Sequence, residues 1–161
     1  MIYFTTFIFA LFLSQIARAL PQVCGDAVPP ESPTPVKQFN IPIASHTVVT
    51  HDPKYGNPFG SMKSVACWNV VLPVRWFHDI PTFPAIGGAF DIDHSPGPNC
   101  GTCWRLHNSE NNHSIIMTAI DHADHGFVLS DETFKLLNGG NLVPELKHVD
   151  YFRVPARECG L

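Results

Sequence analysis

Asn99-Cys100-Gly101-Thr102-Cys103-Trp104, NCGTCW, holds two of the chain's five cysteines, and what those two do decides the kind of fold. A C-x-x-C pair is a redox centre, half of a metal clip, or two structural anchors. A redox pair sits in a βαβ frame and keeps its thiols in a reducing compartment. Here the flanks are Gly, Pro and Asn, followed by the short strand-like Cys103-Trp104-Arg105-Leu106. A zinc clip needs two further ligands at close spacing, and Cys67 and Cys159 lie far away in sequence. Structural disulfides to separate distant partners are the expected reading. Four cysteines allow three pairings, and spacing alone leaves them open.

The compartment supports that reading. Residues 1–19 form an apolar run to Leu13 and then Ala17-Arg18-Ala19, the pattern of a cleaved signal peptide, too short to span a bilayer. The exported part, expected to stay free of the membrane, carries every cysteine and meets an oxidising environment. Without residues 1–19 it keeps nine basic against fourteen acidic residues, a net charge of −5, which excludes the basic face of a nucleic-acid binder. Residues 20–44 carry six prolines and few large apolar side chains, which predicts an extended leader; it includes the odd cysteine, Cys24. Residues 45–161 are then a single domain.

Within that domain the pattern is one of short strands. His46–Thr50, Cys103–His107, Ser114–Ile120 and Val149–Val154 read as strands, with Asn108–Asn112 as a polar hairpin loop. One helix follows Ser130: Asp131 and Glu132 suit its positive end, Phe134 and Leu137 share a face, and Asn138-Gly139-Gly140 stops it. Many short strands, one or two short helices and abundant Gly and Pro predict an all-β-dominated closed barrel. Asn112-His113-Ser114 is an N-glycosylation sequon in the hairpin loop.

Several motifs taken together resemble the cerato-platanin family of small secreted fungal proteins. They are His51-Asp52-Pro53-Lys54-Tyr55, Ser64-Val65-Ala66-Cys67, Pro81–Gly88, Ser95–Trp104, Ala119–Phe127 and Cys159-Gly160-Leu161, and the resemblance runs from about Val48 to Leu161. It implies a six-stranded double-psi β-barrel with the disulfides Cys67–Cys100 and Cys103–Cys159, related to the N-terminal domain of expansins and to barwin-like proteins. It further implies binding of chitin or cellulose oligomers and polymers without hydrolysis, expansin-like loosening of the wall, and action on plants as elicitor or virulence effector through a host receptor. The implied site is a shallow polar groove centred on Asp121, with Asp52, Tyr55, Asn99, Gly101, Thr102, Gly126 and Phe127. Two departures stand out. Trp68–Phe77 forms an apolar loop where relatives carry a Gly-rich polar one, and Asp93-His94 replaces the usual Gly-Trp before the second cysteine.

Two other chemistries remain to be weighed. An Asp121 carboxyl acting as general acid would make a weak endoglucanase, but an inverting glycosidase also needs a second carboxylate ~6.5–9.5 Å away. Asp52, Asp91 and Asp93 are the candidates, and none sits in a motif that marks a base. Asp91, Asp93, His94, His122 and His125 are metal-ligand types in a chain with nine histidines. No H-x-x-x-H or H-E-x-x-H pattern joins them, so no metal and no cofactor is assigned. For stacking on a sugar ring, Tyr55, Trp68 and Trp76 are the aromatic candidates, while Trp104 beside a cysteine is expected in the core.

Overall fold

The computed structural model describes residues 46–70 and 73–161. The signal peptide and the Pro-rich leader, with Cys24, lie outside the described residues. Six strands are present: β1 (His46–His51), β2 (Ile86–Ala89), β3 (Cys103–Asn108), β4 (His113–His122), β5 (Phe127–Leu129) and β6 (Leu146–Val154), with one helix, α1 (Asp131–Leu137), between β5 and β6. They close into a barrel in the order β1-β5-β2-β4-β3-β6. Two of the six pairings are parallel, β1 with β5 and β2 with β4, and the rest antiparallel. This is the double-psi topology expected. Among the described residues no helix is long and apolar enough to cross a membrane.

The long β4 organises the ring. Its first half pairs with β3 through the 109–112 hairpin loop, and its second half, Thr118–His122, lies alongside β2. A ten-residue strand rich in Ile, Met and Ala can serve both neighbours because its residues from Met117 to Ile120 are buried. β2 reads Ile-Gly-Gly-Ala, and Gly87 is obligatory there: a Cβ would stand 1.9 Å from the Val128 carbonyl oxygen of β5.

Phe127 fills the interior, in edge-to-face contact with Trp104 at 5.3 Å and Phe90 at 5.8 Å, and with Tyr151 at 5.7 Å. Such pairs add ~0.5–1.5 kcal/mol beyond the area they bury. The helix closes one side of the core with Phe134 and Leu137. Ser130 caps it by accepting from the Thr133 N–H at 3.2 Å, and its hydroxyl lies 2.9 Å from the Pro84 carbonyl oxygen. Losing such a cap costs ~1 kcal/mol.

The disulfides are Cys67–Cys100 and Cys103–Cys159, as the resemblance implies, with Cα atoms 5.4 and 5.8 Å apart. NCGTCW therefore ties two opposite parts of the chain to one point on β3 and β4. On that anchor, the Cys67 N–H donates to the Ile120 carbonyl, the Gly101 N–H to the Ala119 carbonyl, and the Ala119 N–H to the Thr102 carbonyl. Both flanking loops are thus fastened to β4 just before Asp121.

Candidate functional site

β4 runs through His122, so Asp121 is a strand residue and not the first of the turn after it. Its side chain is 13% exposed, and four donors converge on it. The Ala66 and His122 N–H groups both reach Oδ1 at 2.9 Å; the Tyr55 hydroxyl donates to Oδ2 at 2.9 Å and the Lys54 ammonium at 3.1 Å. Lys54 and Tyr55 come from a 3-10 turn over Pro53–Gly56. Pro53 presets its first position, and Asp52 caps it by accepting from the Lys54 N–H at 2.8 Å. The same ammonium lies 3.8 Å from Asp52 Oδ2, so one lysine stands between the two carboxylates.

Tyr55 is 1% exposed. It supports Asp121 from beneath and offers no face to a ligand, which corrects its place in the groove lining. Burial, followed by the charge of Asp121, raises its phenol pKa above the ordinary tyrosine value.

Three further expectations need the same correction. Thr102 is buried with its hydroxyl accepting from the Trp104 indole at 2.9 Å, and Phe127 lies in the barrel interior. Gly126 is buried at φ +58°, where a Cβ would stand 1.9 Å from the Val48 carbonyl oxygen. Thr102 and Phe127 have next to no surface to give a sugar, and Gly126 only borders the depression between Thr47, Phe90 and Tyr151. Asn99 is half-buried and occupied: its amide donates to the Asp91 carbonyl at 2.7 Å, and its oxygen lies 3.4 Å from Arg153. Gly101 is partly exposed, with its N–H committed to Ala119. Asp121, Asp52 and Tyr55 are therefore brought together, joined by Lys54 and the Ala66 N–H, which sequence reasoning missed. The one available signal for Lys54 was its place between the helix-initiating Pro53 and Tyr55.

The apolar loop is largely a surface feature. Trp68 is 50% exposed and Trp76 42%, while Phe77 is buried. Trp76 is held by an isolated bridge to Ser61 and by its N–H donating to Asp79 at 3.1 Å. A cleft of about 600 Å³ opens here, lined by Ser61, Lys63, Trp68, Asn69, Arg75 and Trp76 among others. Trp104, as expected, is in the core. Asn112 is exposed at the hairpin, at φ 60°.

On the far side of β4 from Tyr55, the His122 Nδ1 bonds the Ile92 carbonyl, and Nε2 lies 3.2 Å from Asp124 Oδ1. That carbonyl first, then the carboxylates of Asp124 and Asp121, holds the imidazole pKa above its ordinary value against a smaller effect of burial. Asp91 is displaced upward by burial, with Oδ1 buried and without a hydrogen-bond partner among the described residues.

The family model named Cerato-platanin matches residues 47–161. The heat-stable 19 kDa antigen of Coccidioides immitis (strain RS) is 32% identical over 127 residues, covering 74% of this chain and 85% of that protein. The cerato-platanin of Ceratocystis fimbriata f. sp. platani is 31% identical over 115 residues, covering 69% and 84%. Among solved structures, the crystal structure of cerato-platanin 2 from M. perniciosa is similar with a TM-score of 0.68 at 32% identity, covering 73% of this chain and all of that one. The solution structure of the fungal elicitor cerato-platanin gives 0.64 at 31% identity, covering 70% and 95%.

Proposed function

The chain belongs to the cerato-platanin family, and from that premise we propose that it is a secreted protein that binds β-linked glucan or GlcNAc polymers at the Asp121 site without cleaving them. The observation that carries the non-hydrolytic part is the saturation of Asp121. Four donors occupy its two oxygens, leaving no direction in which a proton could be held out to a glycosidic oxygen.

The position of Lys54 supports the same reading. Oδ2 of Asp52 and Oδ2 of Asp121 lie at most about 7 Å apart and an ammonium touches both, in the gap that an inverting pair keeps at ~6.5–9.5 Å for its water. A general base there would have to activate a water where Lys54 already sits. What the site offers a sugar is different: an ammonium that is 49% exposed, the outer carboxylate of Asp52, and a rigid backbone. Those groups pair with hydroxyls and acetamides. The exposed indoles of Trp68 and Trp76 supply the apolar faces on which a pyranose ring stacks. Such binding disturbs the packing of wall polymers in an expansin-like way, and it places the protein where a plant host receptor could meet it as elicitor or effector. The two disulfides fit that extracellular setting.

The test is titration with soluble cello- and chito-oligomers followed by amide chemical shifts and by product analysis. Shifts should gather at Lys54, Ala66 and Asp121, weaken in the exposed-site variant Lys54→Ala, and be accompanied by no shorter sugars. Steady release of shorter oligomers, abolished in Asp121→Asn, would overturn the non-hydrolytic reading. Absence of any shift with either sugar series would overturn the binding itself.

A further inference from the structure

We propose that His94, His122 and Asp124 form a binding site for a divalent late first-row transition-metal cation of the zinc class, separate from the Asp121 site and independent of the carbohydrate reading. The ligand atoms of the three side chains all lie within 4.8 Å of one another. The two imidazole rings are 3.9 Å apart between centroids. His122 Nε2 and Asp124 Oδ1 are 3.2 Å apart, which matches the ~3.3 Å edge between two ligands of a tetrahedral zinc with bonds of about 2.0–2.1 Å. Bringing the His94 nitrogen to the same edge length from both partners needs a movement on the order of 2 Å, within reach of an exposed side chain.

His122 is already oriented as a metal-bound histidine is. A carbonyl only accepts, so the contact with Ile92 fixes the proton on Nδ1 and leaves Nε2, on the Asp124 side, as the coordinating atom. The scaffold behind the three ligands is continuous. β2 and β4 pair Ala89 with His122, the Ala123 N–H donates to the Ala89 carbonyl at 3.2 Å, and the Phe90 N–H donates to the Gly126 carbonyl at 2.9 Å. These bonds hold the segment that carries His94 against the turn that carries Asp124. Residues from two remote parts of the sequence thus meet, His94 from one and His122 with Asp124 from the other, which is why spacing gives no sign of the cluster.

Two imidazoles and one carboxylate select zinc, copper or nickel over magnesium and calcium, whose preferred partners are all oxygen. Three protein ligands leave a fourth position for water or for an oxygen of another molecule. The site's partial exposure fits a reversibly held ion.

The experiment is calorimetric titration of the untagged secreted protein with zinc chloride near neutral pH, after chelator treatment and with any thiol at Cys24 alkylated. One equivalent should bind, with the imidazole ¹⁵N signals of His94 and His122 shifting, and calcium should give no binding. His94→Ala and Asp124→Asn, both solvent-facing changes that leave the Ile92 contact in place, should each weaken zinc about tenfold or more. His125→Ala, in the same turn but outside the cluster, should leave it unchanged. Absence of saturable zinc binding, wild-type affinity in the His94→Ala and Asp124→Asn variants, or an equal loss in His125→Ala would overturn the assignment.

Discussion

Replacing Tyr55 by Phe removes one oxygen from the protein and tests how Asp121 is held. The hydroxyl donates at 2.9 Å to a carboxylate from a side chain that is 1% exposed. Hydrogen bonds to charged groups contribute ~1.5–3 kcal/mol. Asp121 Oδ2 keeps the Lys54 ammonium at 3.1 Å and is not orphaned, so the lower part of that range applies, about 2 kcal/mol at pH 7.

The pH dependence makes the test sharper. Burial and the neighbouring carboxylate raise the folded-state phenol pKa, so the protonated tyrosine is favoured in the fold. Its contribution is fully present below the unfolded value near pH 10 and is lost as pH rises from there toward the folded value. By pH 11 the unfolded chain has lost the Tyr55 proton while the folded chain has kept it, which lowers wild-type stability by about 1.4 kcal/mol. The variant lacks that term. The gap between the two proteins should therefore shrink from about 2 kcal/mol at pH 7 to about 0.6 at pH 11, read from urea unfolding with any thiol at Cys24 alkylated. A gap that stays constant across that range would refute the argument that Tyr55 is a buried, carboxylate-facing phenol.

Gly126→Ala should cost ~3 kcal/mol or more, because a Cβ at φ +58° would meet the Val48 backbone oxygen at 1.9 Å and backbone cannot step aside cheaply; thermal unfolding within about 1 kcal/mol of wild type would contradict this. Replacing the Cys103–Cys159 pair by Ala should cost about 4 kcal/mol, and the Cys67–Cys100 pair about 0.5 kcal/mol less, since the closed loops are 56 and 33 residues. Denaturant midpoints of the two double variants give the order, and a clear reversal would mean that local packing outweighs loop closure.

Strands β1 and β4 are legible from β-branched runs, β3 and β6 from partial alternation, and the helix α1 from its capping residues. β2 is not: Ile-Gly-Gly-Ala has no alternation, and it is a strand because only glycine lets β5 approach its backbone. β5, with three residues, is too short to show any period. The double-psi topology and the disulfide pairing come from the family resemblance, since parallel pairs join segments far apart in sequence. At the site, the sequence motif identifies Asp121 but not what surrounds it. Tyr55 is recognisable as an aromatic beside the groove, yet whether its ring faces solvent or core depends on where a 3-10 turn lands on β4. Lys54 gains its role only when Asp52 and Asp121, remote in sequence, meet around it.

Because each of the six strands has a hydrogen-bonded neighbour on both sides, none of them is a sheet edge along its whole length. Among the described residues, strand addition is left only the stretches where one neighbour stops short, such as the first half of β4, and no full-length edge is open to fibril pairing. A ligand of this domain is then gripped mainly by side chains and loop ends. The polymer grip proposed for the loops and a barrel with little open edge can thus coexist in one small domain.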